Sequence, residues 1–160
     1  MSEQTISRLA DLEEIRDLPR LYAHYVWQKD TEAAVALFAA DGTMDAGDGN
    51  PIGGHDALRE GYERMLAAGE LQPFVHNHVI ELDGDEASGT VYLDLRATMG
   101  GTAMIGSGYY DDRYVREQGR WRFKSRVLTL RFFVPLDEGW AGDEATEELS
   151  IIHHLRCRRP

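Results

Sequence analysis

The segment FVHNHVIELDGDEASGTVYLDL, residues 74–95, carries two imidazoles one residue apart at the start of an apolar alternation. An imidazole titrates near neutral pH, so a half-buried one can take a proton in one step and return it in the next. His76 and His78 also form a His-x-His pair able to hold a metal. A metal site needs a third ligand, however, and the chain has no HExxH and no cysteine pair, leaving a remote glutamate or His153. From the residues alone three readings stand: a base, a metal pair, or polar groups closing a strand end. The other candidates divide the same way. Tyr22, Tyr25 and Trp27 share helical spacing and read as core or as pocket wall. Arg126, between Ser125 and the run VLTL, needs an anionic or carbonyl partner if it is buried and none if it projects outward. Gly100, Gly101, Gly106 and Gly108 lack both a GxGxxG context and a following helix, so they make no phosphate cradle.

Position along the chain decides which of these groups can meet. Residues 7–29 place Leu9, Leu12, Ile15, Leu18, Tyr22 and Tyr25 at three- and four-residue steps, which predicts a helix that Pro19 kinks or restarts. Thr31 reads as the N-cap of a short second helix over EAAVALFAA, residues 32–40. TMDAGDGNPIGG holds enough turn residues for two short strands around a hairpin. Residues 55–70 predict a third amphipathic helix with Leu58, Tyr62, Met65 and Leu66 on one side. From about residue 75 the period becomes two. Two strands join through Asp83-Gly84-Asp85, and two more join at Gln118-Gly119. Period two, counted from Ile80, puts His76 and His78 together on the face toward the helices. It also turns Val91, Leu93, Leu95 and Ala97 inward and Thr90, Tyr92, Asp94 and Arg96 outward. The tail, residues 137–160, predicts a final helix with Leu149, Ile152 and His153 inward. Helices first and an antiparallel meander after them make an α+β class, with helices laid on one face of a curved sheet around a mostly apolar pocket.

Composition narrows the partners. With 160 residues, 42% hydrophobic and 28% charged, the chain reads as one domain over residues 1–160. A net charge of −11 argues against nucleic acid and anionic membranes, which would repel it. Cys157 is the single cysteine, so no internal disulfide can form. The N-terminus has no basic and apolar leader pattern, and no apolar run reaches the roughly 18 residues of a membrane span. The expected setting is the cytoplasm.

Four stretches together resemble a known group: EEIRDLPRLYAHYVWQKDTEAAVALFAADG, the helix start Gly54-His55-Asp56-Ala57-Leu58, NHVIELDGDEASG, and GYYDDRYVREQGRWRFKSR. In order and spacing, over roughly residues 8 to 136, they resemble the SnoaL-like group of the nuclear-transport-factor-2-like superfamily. The resemblance implies a cone-shaped α+β barrel, N-terminal helices packed on a strongly curved antiparallel sheet with the site inside. It implies enzymes such as polyketide cyclases, scytalone dehydratase, bile-acid dehydratase, lindane dehydrochlorinase and diarylpropane lyases, most of them moving a proton without metal or organic cofactor. The dehydratase-type members carry an aspartate five residues after a pocket tyrosine. Tyr22 matches the tyrosine, but the aspartate position is Trp27. Their catalytic histidine falls at Pro73, four residues before Asn77. The dyad is absent. Arg126, five residues after Trp121, matches a functional arginine of some members, and Tyr110 matches a pocket-lining position.

The resulting expectation is a cofactor-independent lyase acting on a small hydrophobic, aromatic hydroxy or carbonyl compound, by retro-aldol-type C–C cleavage or by dehydration. His78 would be the relocated base, Tyr22 an acid or orienting group, and Arg126 the stabiliser of a developing oxyanion. Trp27, His76, Asn77 and Tyr110 would contact substrate, with no metal. A homodimer or higher homo-oligomer through the outer sheet face follows from the same resemblance. The alternatives are a non-catalytic ligand-binding protein and an isomerase or cyclase of the same fold.

Overall fold

The structure is a computed structural model that describes residues 2–140. Helix α1 runs from Glu3 to Gln28, its first turn closed by Ser2, whose hydroxyl accepts from the Thr5 N–H at 3.2 Å. Pro19 is buried inside it and does not end it. Ile15, Leu18, Tyr22, Ala23 and Val26 bury the second half of the helix, whereas Leu9, expected inward, is 49% exposed. Asp30, not Thr31, caps α2, accepting from the Ala33 N–H at 3.0 Å. This helix stops at Val35, because Phe38–Asp45 is strand β1. The expected helix over residues 32–40 is therefore half helix and half strand; the alanine-rich run gives way where Phe38 and Ala39 enter the sheet and the core. Ile52–Gly53 is β2, and α3 spans His55–Ala67, burying Leu58, Tyr62 and Leu66.

Four long strands complete the sheet: β3 (Gly69–Asp83), β4 (Glu86–Met99), β5 (Thr102–Glu117) and β6 (Arg120–Pro135). Both predicted hairpins are present. Asp83 pairs with Glu86 across Gly84-Asp85, and Glu117 pairs with Arg120 across Gln118-Gly119. Both residues of the second turn have positive φ, 52° and 75°, the geometry that matches strand twist. The strand order is β2-β1-β6-β5-β4-β3, one open sheet. Its β1–β6 pairing is parallel, so the sheet is mixed rather than wholly antiparallel, and β2 and β3 are its edges.

The inner face follows the predicted alternation on β4: Val91, Leu93, Leu95 and Ala97 are buried. Tyr22, Phe38, Tyr62, Tyr110, Tyr114, Trp121 and Phe123 join them in one core between helices and sheet. No described helix is long and apolar enough to cross a membrane. The predicted C-terminal helix lies outside the described residues.

Candidate active site

A register shift decides which histidine reaches the interior. Up to Val75, which faces Leu93, the odd residues of β3 lie opposite inward residues of β4. From His78, which faces Val91, the even ones do. One extra residue in β3 between these points is a β-bulge, and it exchanges the two faces. Simple alternation put His76 beside His78; the bulge separates them. His76 is exposed and pairs across the outer surface with Asp94, Nε2 to Oδ2 at 3.0 Å. Asn77 is exposed as well. His78 turns in.

A second shift, between Arg113 and Tyr114 on β5, does the same for β6. Arg126 and Leu128 face inward on one side of it, and Trp121 and Phe123 on the other, although the two pairs differ in parity. Arg126 is thus fully buried, at 0% exposure. The partner its burial demands is Asp112, one strand away on β5: Nε donates to Oδ1 at 2.8 Å and Nη2 to Oδ2 at 2.6 Å. Three rings enclose the guanidinium, Tyr110 at 4.0 Å, Phe123 at 4.1 Å and Tyr22 at 4.5 Å from its carbon to ring centre. In a dry setting each such contact contributes on the order of 2 kcal/mol. Burial by itself disfavours the charged guanidinium; the Asp112 charge and hydrogen bonds outweigh it and hold the Arg126 pKa above its ordinary value.

The pair extends outward to the imidazole. The Tyr114 hydroxyl donates to Asp112 Oδ2 at 2.9 Å and lies 3.0 Å from His78 Nε2. Burial pushes the His78 pKa down to about 4, with Asp112 acting in the opposite direction and Arg126 with burial, so the ring is neutral at neutral pH. Gly89 makes the contact possible. A Cβ there would lie 2.7 Å from the Val79 carbonyl oxygen, 3.0 Å from His78 Nε2 and 3.2 Å from the Tyr114 ring. Among the described residues, two buried side-chain polar atoms lack a hydrogen-bond partner: His78 Nδ1 and Arg126 Nη1. Orphaned atoms of this kind are costly in a folded protein and call for an explanation.

Tyr22 and Tyr110 are buried, as expected of pocket residues. The Tyr62 hydroxyl donates to that of Tyr22 at 3.0 Å, and burial raises both phenol pKa values well above the ordinary range. The cavity that Tyr22 and Tyr110 line, with Val26, Met44, Met65, Leu71, Pro73, Leu95 and Leu128 among others, measures only about 20 Å³. His78 and Arg126 stand outside that lining. Trp27 is not a wall of it: the indole is 39% exposed, packs edge-on against Phe74 and donates from Nε1 to the Pro73 carbonyl at 2.8 Å. A larger open trough of about 400 Å³ lies on the other sheet face, between Val79, Glu81, Thr90, Asp111, Arg113 and Val127. The described residues contain no cluster of three or more metal-ligating side chains.

Asp112 and Tyr114 were not singled out by the sequence. The signal was present: they alternate with Tyr110 on β5, so a carboxylate and a phenol share the inward face of a strand otherwise apolar on that side.

The SnoaL-like domain family matches residues 7–127, and the chain belongs to that family. No curated protein matches the chain. Several solved structures share the fold. A single-substitution variant of Rv3472, a protein of unknown function from Mycobacterium tuberculosis, is 24% identical over 96% of this chain and 90% of its own, with a TM-score of 0.75. A candidate scytalone dehydratase from Novosphingobium aromaticivorans DSM 12444 is 19% identical over 91% and 97%, TM-score 0.75. The hexachlorocyclohexane dehydrochlorinase LinA-type3 from Novosphingobium barchaimii LL02 is 17% identical over 82% and 94%, TM-score 0.77. At these identities the likeness establishes the fold alone: N-terminal helices packed on one mixed, open sheet.

Proposed function

We propose that this protein is a cofactor-independent lyase for a small hydrophobic, aromatic hydroxy or carbonyl compound. The observation that carries the reading is the pair of orphaned buried atoms, Nδ1 of a neutral imidazole and Nη1 of a fixed guanidinium. One suits a proton in transit and the other a developing negative charge. In a retro-aldol cleavage His78 would take the substrate hydroxyl proton. The O–H electron pair becomes the new carbonyl bond, the C–C bond breaks, and its electrons stay on the departing carbon, which recovers the proton from the imidazolium. Dehydration uses the same parts, with a C–H proton taken and a hydroxyl leaving as water. Arg126 stabilises the intermediate oxyanion or phenolate, and a preorganised charge in a dry site contributes about 3 kcal/mol or more at that moment. Tyr22, held by Tyr62, orients the ring, and Tyr110 contacts it.

A substrate needs roughly 300 Å³, far beyond the cavity of about 20 Å³. The reading therefore requires the cavity to open toward His78 and Arg126, which stand outside its lining, and the unbranched Met44 and Met65 are the adaptable part of its wall. Self-association through the outward row Thr90, Tyr92, Asp94 and Arg96, and a cytoplasmic setting, belong to the same reading.

The test is turnover of a panel of aromatic diols and hydroxyketones, read by mass spectrometry. The expected result is a cleavage or dehydration product that His78→Ala forms about a hundredfold more slowly or worse. Equal rates in both proteins would overturn the reading. A second reading, a non-catalytic ligand-binding domain, draws on the small cavity and on Trp27 and Pro73 standing where related enzymes carry their dyad. It predicts ligands that raise the melting temperature without product.

A further inference from the structure

We propose that Nδ1 is the basic atom of His78, and that Tyr114 and Asp112 are positioning residues that fix the ring in its Nε2–H tautomer. The proposal rests on the reading of His78 as the base and states which of its two nitrogens does the work.

The number of hydrogens shared among the three side chains fixes the tautomer. The Tyr114 hydroxyl has one hydrogen and two neighbours within bonding distance, Asp112 Oδ2 at 2.9 Å and His78 Nε2 at 3.0 Å. Each Asp112 oxygen already accepts a guanidinium N–H from Arg126. The carboxylate therefore offers lone pairs and no hydrogen, and the phenol hydrogen goes to it. If the phenol donated to His78 instead, two lone-pair oxygens would face each other at 2.9 Å in a buried site, which costs free energy on both sides. With the phenol hydrogen committed to Asp112, the phenol oxygen is an acceptor, and Nε2 must be the donor. A neutral imidazole carries one N–H, so Nδ1 holds a lone pair. That is the atom the fold leaves buried and unpartnered.

The ordering runs from β6 to β3: the Arg126 cation fixes Asp112, Asp112 fixes the phenol, and the phenol fixes the imidazole. When Nδ1 takes a proton, Nε2–H stays where it is and no other group has to move. The charged groups around the ring are Asp112 and Arg126 from the sheet and Arg16 and Arg20 from α1. Burial is the largest influence and disfavours the imidazolium; the Asp112 carboxylate favours it and the three guanidiniums oppose it, so the base is weak and its conjugate acid readily gives the proton back.

The tautomer can be read without any substrate, by long-range ¹H–¹⁵N correlation spectra of ¹⁵N-histidine-labelled protein at neutral pH. His78→Gln identifies the His78 signals among the six histidines. The expected spectrum shows a protonated Nε2 and a lone-pair Nδ1, and Tyr114→Phe, which keeps the ring and removes only the hydroxyl, releases the ring into a mixture of tautomers. A protonated Nδ1 in the parent protein, or an unchanged tautomer in Tyr114→Phe, would overturn the assignment. If Tyr114→Phe does not fold, the parent spectrum decides alone. An Nε2–H tautomer in a protein that turns over nothing would sink the lyase reading and leave this assignment standing.

Discussion

Trp27 donates its indole N–H to the carbonyl of Pro73 at 2.8 Å, joining helix α1 to edge strand β3. These are the two positions at which the resemblance to dehydratases implies an aspartate and a histidine. The fold keeps them as neighbours, but neither side chain can titrate, so no acid–base dyad stands at these two positions.

Trp27→Phe keeps the edge-on packing against Phe74 and removes the donor. The expected loss is about 0.5–1.5 kcal/mol, the usual net worth of one hydrogen bond, measured as a lower urea midpoint with an unchanged slope. Turnover of any substrate found should keep its pH profile, because no titrating group has been touched.

The Asp112–Arg126 pair is fully desolvated and should behave unlike a surface ion pair. Arg126→Met or Asp112→Leu alone leaves an uncompensated buried charge and should cost about 3–5 kcal/mol. The double variant should be more stable than the sum of the two losses predicts by at least about 1 kcal/mol, and a double-mutant cycle from denaturant unfolding measures that coupling. Additive losses would mean that the two side chains do not stabilise each other.

Gly89→Ala probes the seat of the imidazole. The new methyl group would crowd the Val79 carbonyl, His78 Nε2 and the Tyr114 ring together. A loss of about 1–3 kcal/mol is expected from the overpacking. The His78 ring signals should shift with it, because the ring must leave the phenol. Unchanged signals in a folded variant would place the ring elsewhere.

His78 also links stability to pH. Its folded pKa of about 4 lies below the ordinary value of 6.5. Between those values the unfolded chain binds the proton more tightly, so the His78 contribution to stability falls as pH drops from 6.5 toward 4 and levels off below. His78→Gln should lose less stability than the parent over that window, read from unfolding midpoints at several pH values. Parallel curves would mean that the ring titrates alike in both states.

The alternation of β4 was legible in the sequence because nothing interrupts the pairing there, and Val91, Leu93, Leu95 and Ala97 fall inward as counting by two predicts. The hairpins were legible because Gly84 and the Gln118-Gly119 pair meet a local requirement on φ. His76 was misplaced by the same counting. A bulge is one residue long, leaves no compositional mark in HNHVIEL, and inverts every face beyond it. Arg126 posed the mirror problem, with both orientations open until a shift on the neighbouring strand decided between them.

Local sequence thus determined the α+β class, most of the elements, the family and the outward row of β4, since periodicity and turn chemistry act over a few neighbouring residues. Only the tertiary structure decided that His78 alone of the two histidines enters, that Asp112 is the partner of Arg126, and that Tyr114 connects them. These contacts span 14 and 36 residues of chain and depend on strand register, a property of paired strands that no single strand encodes.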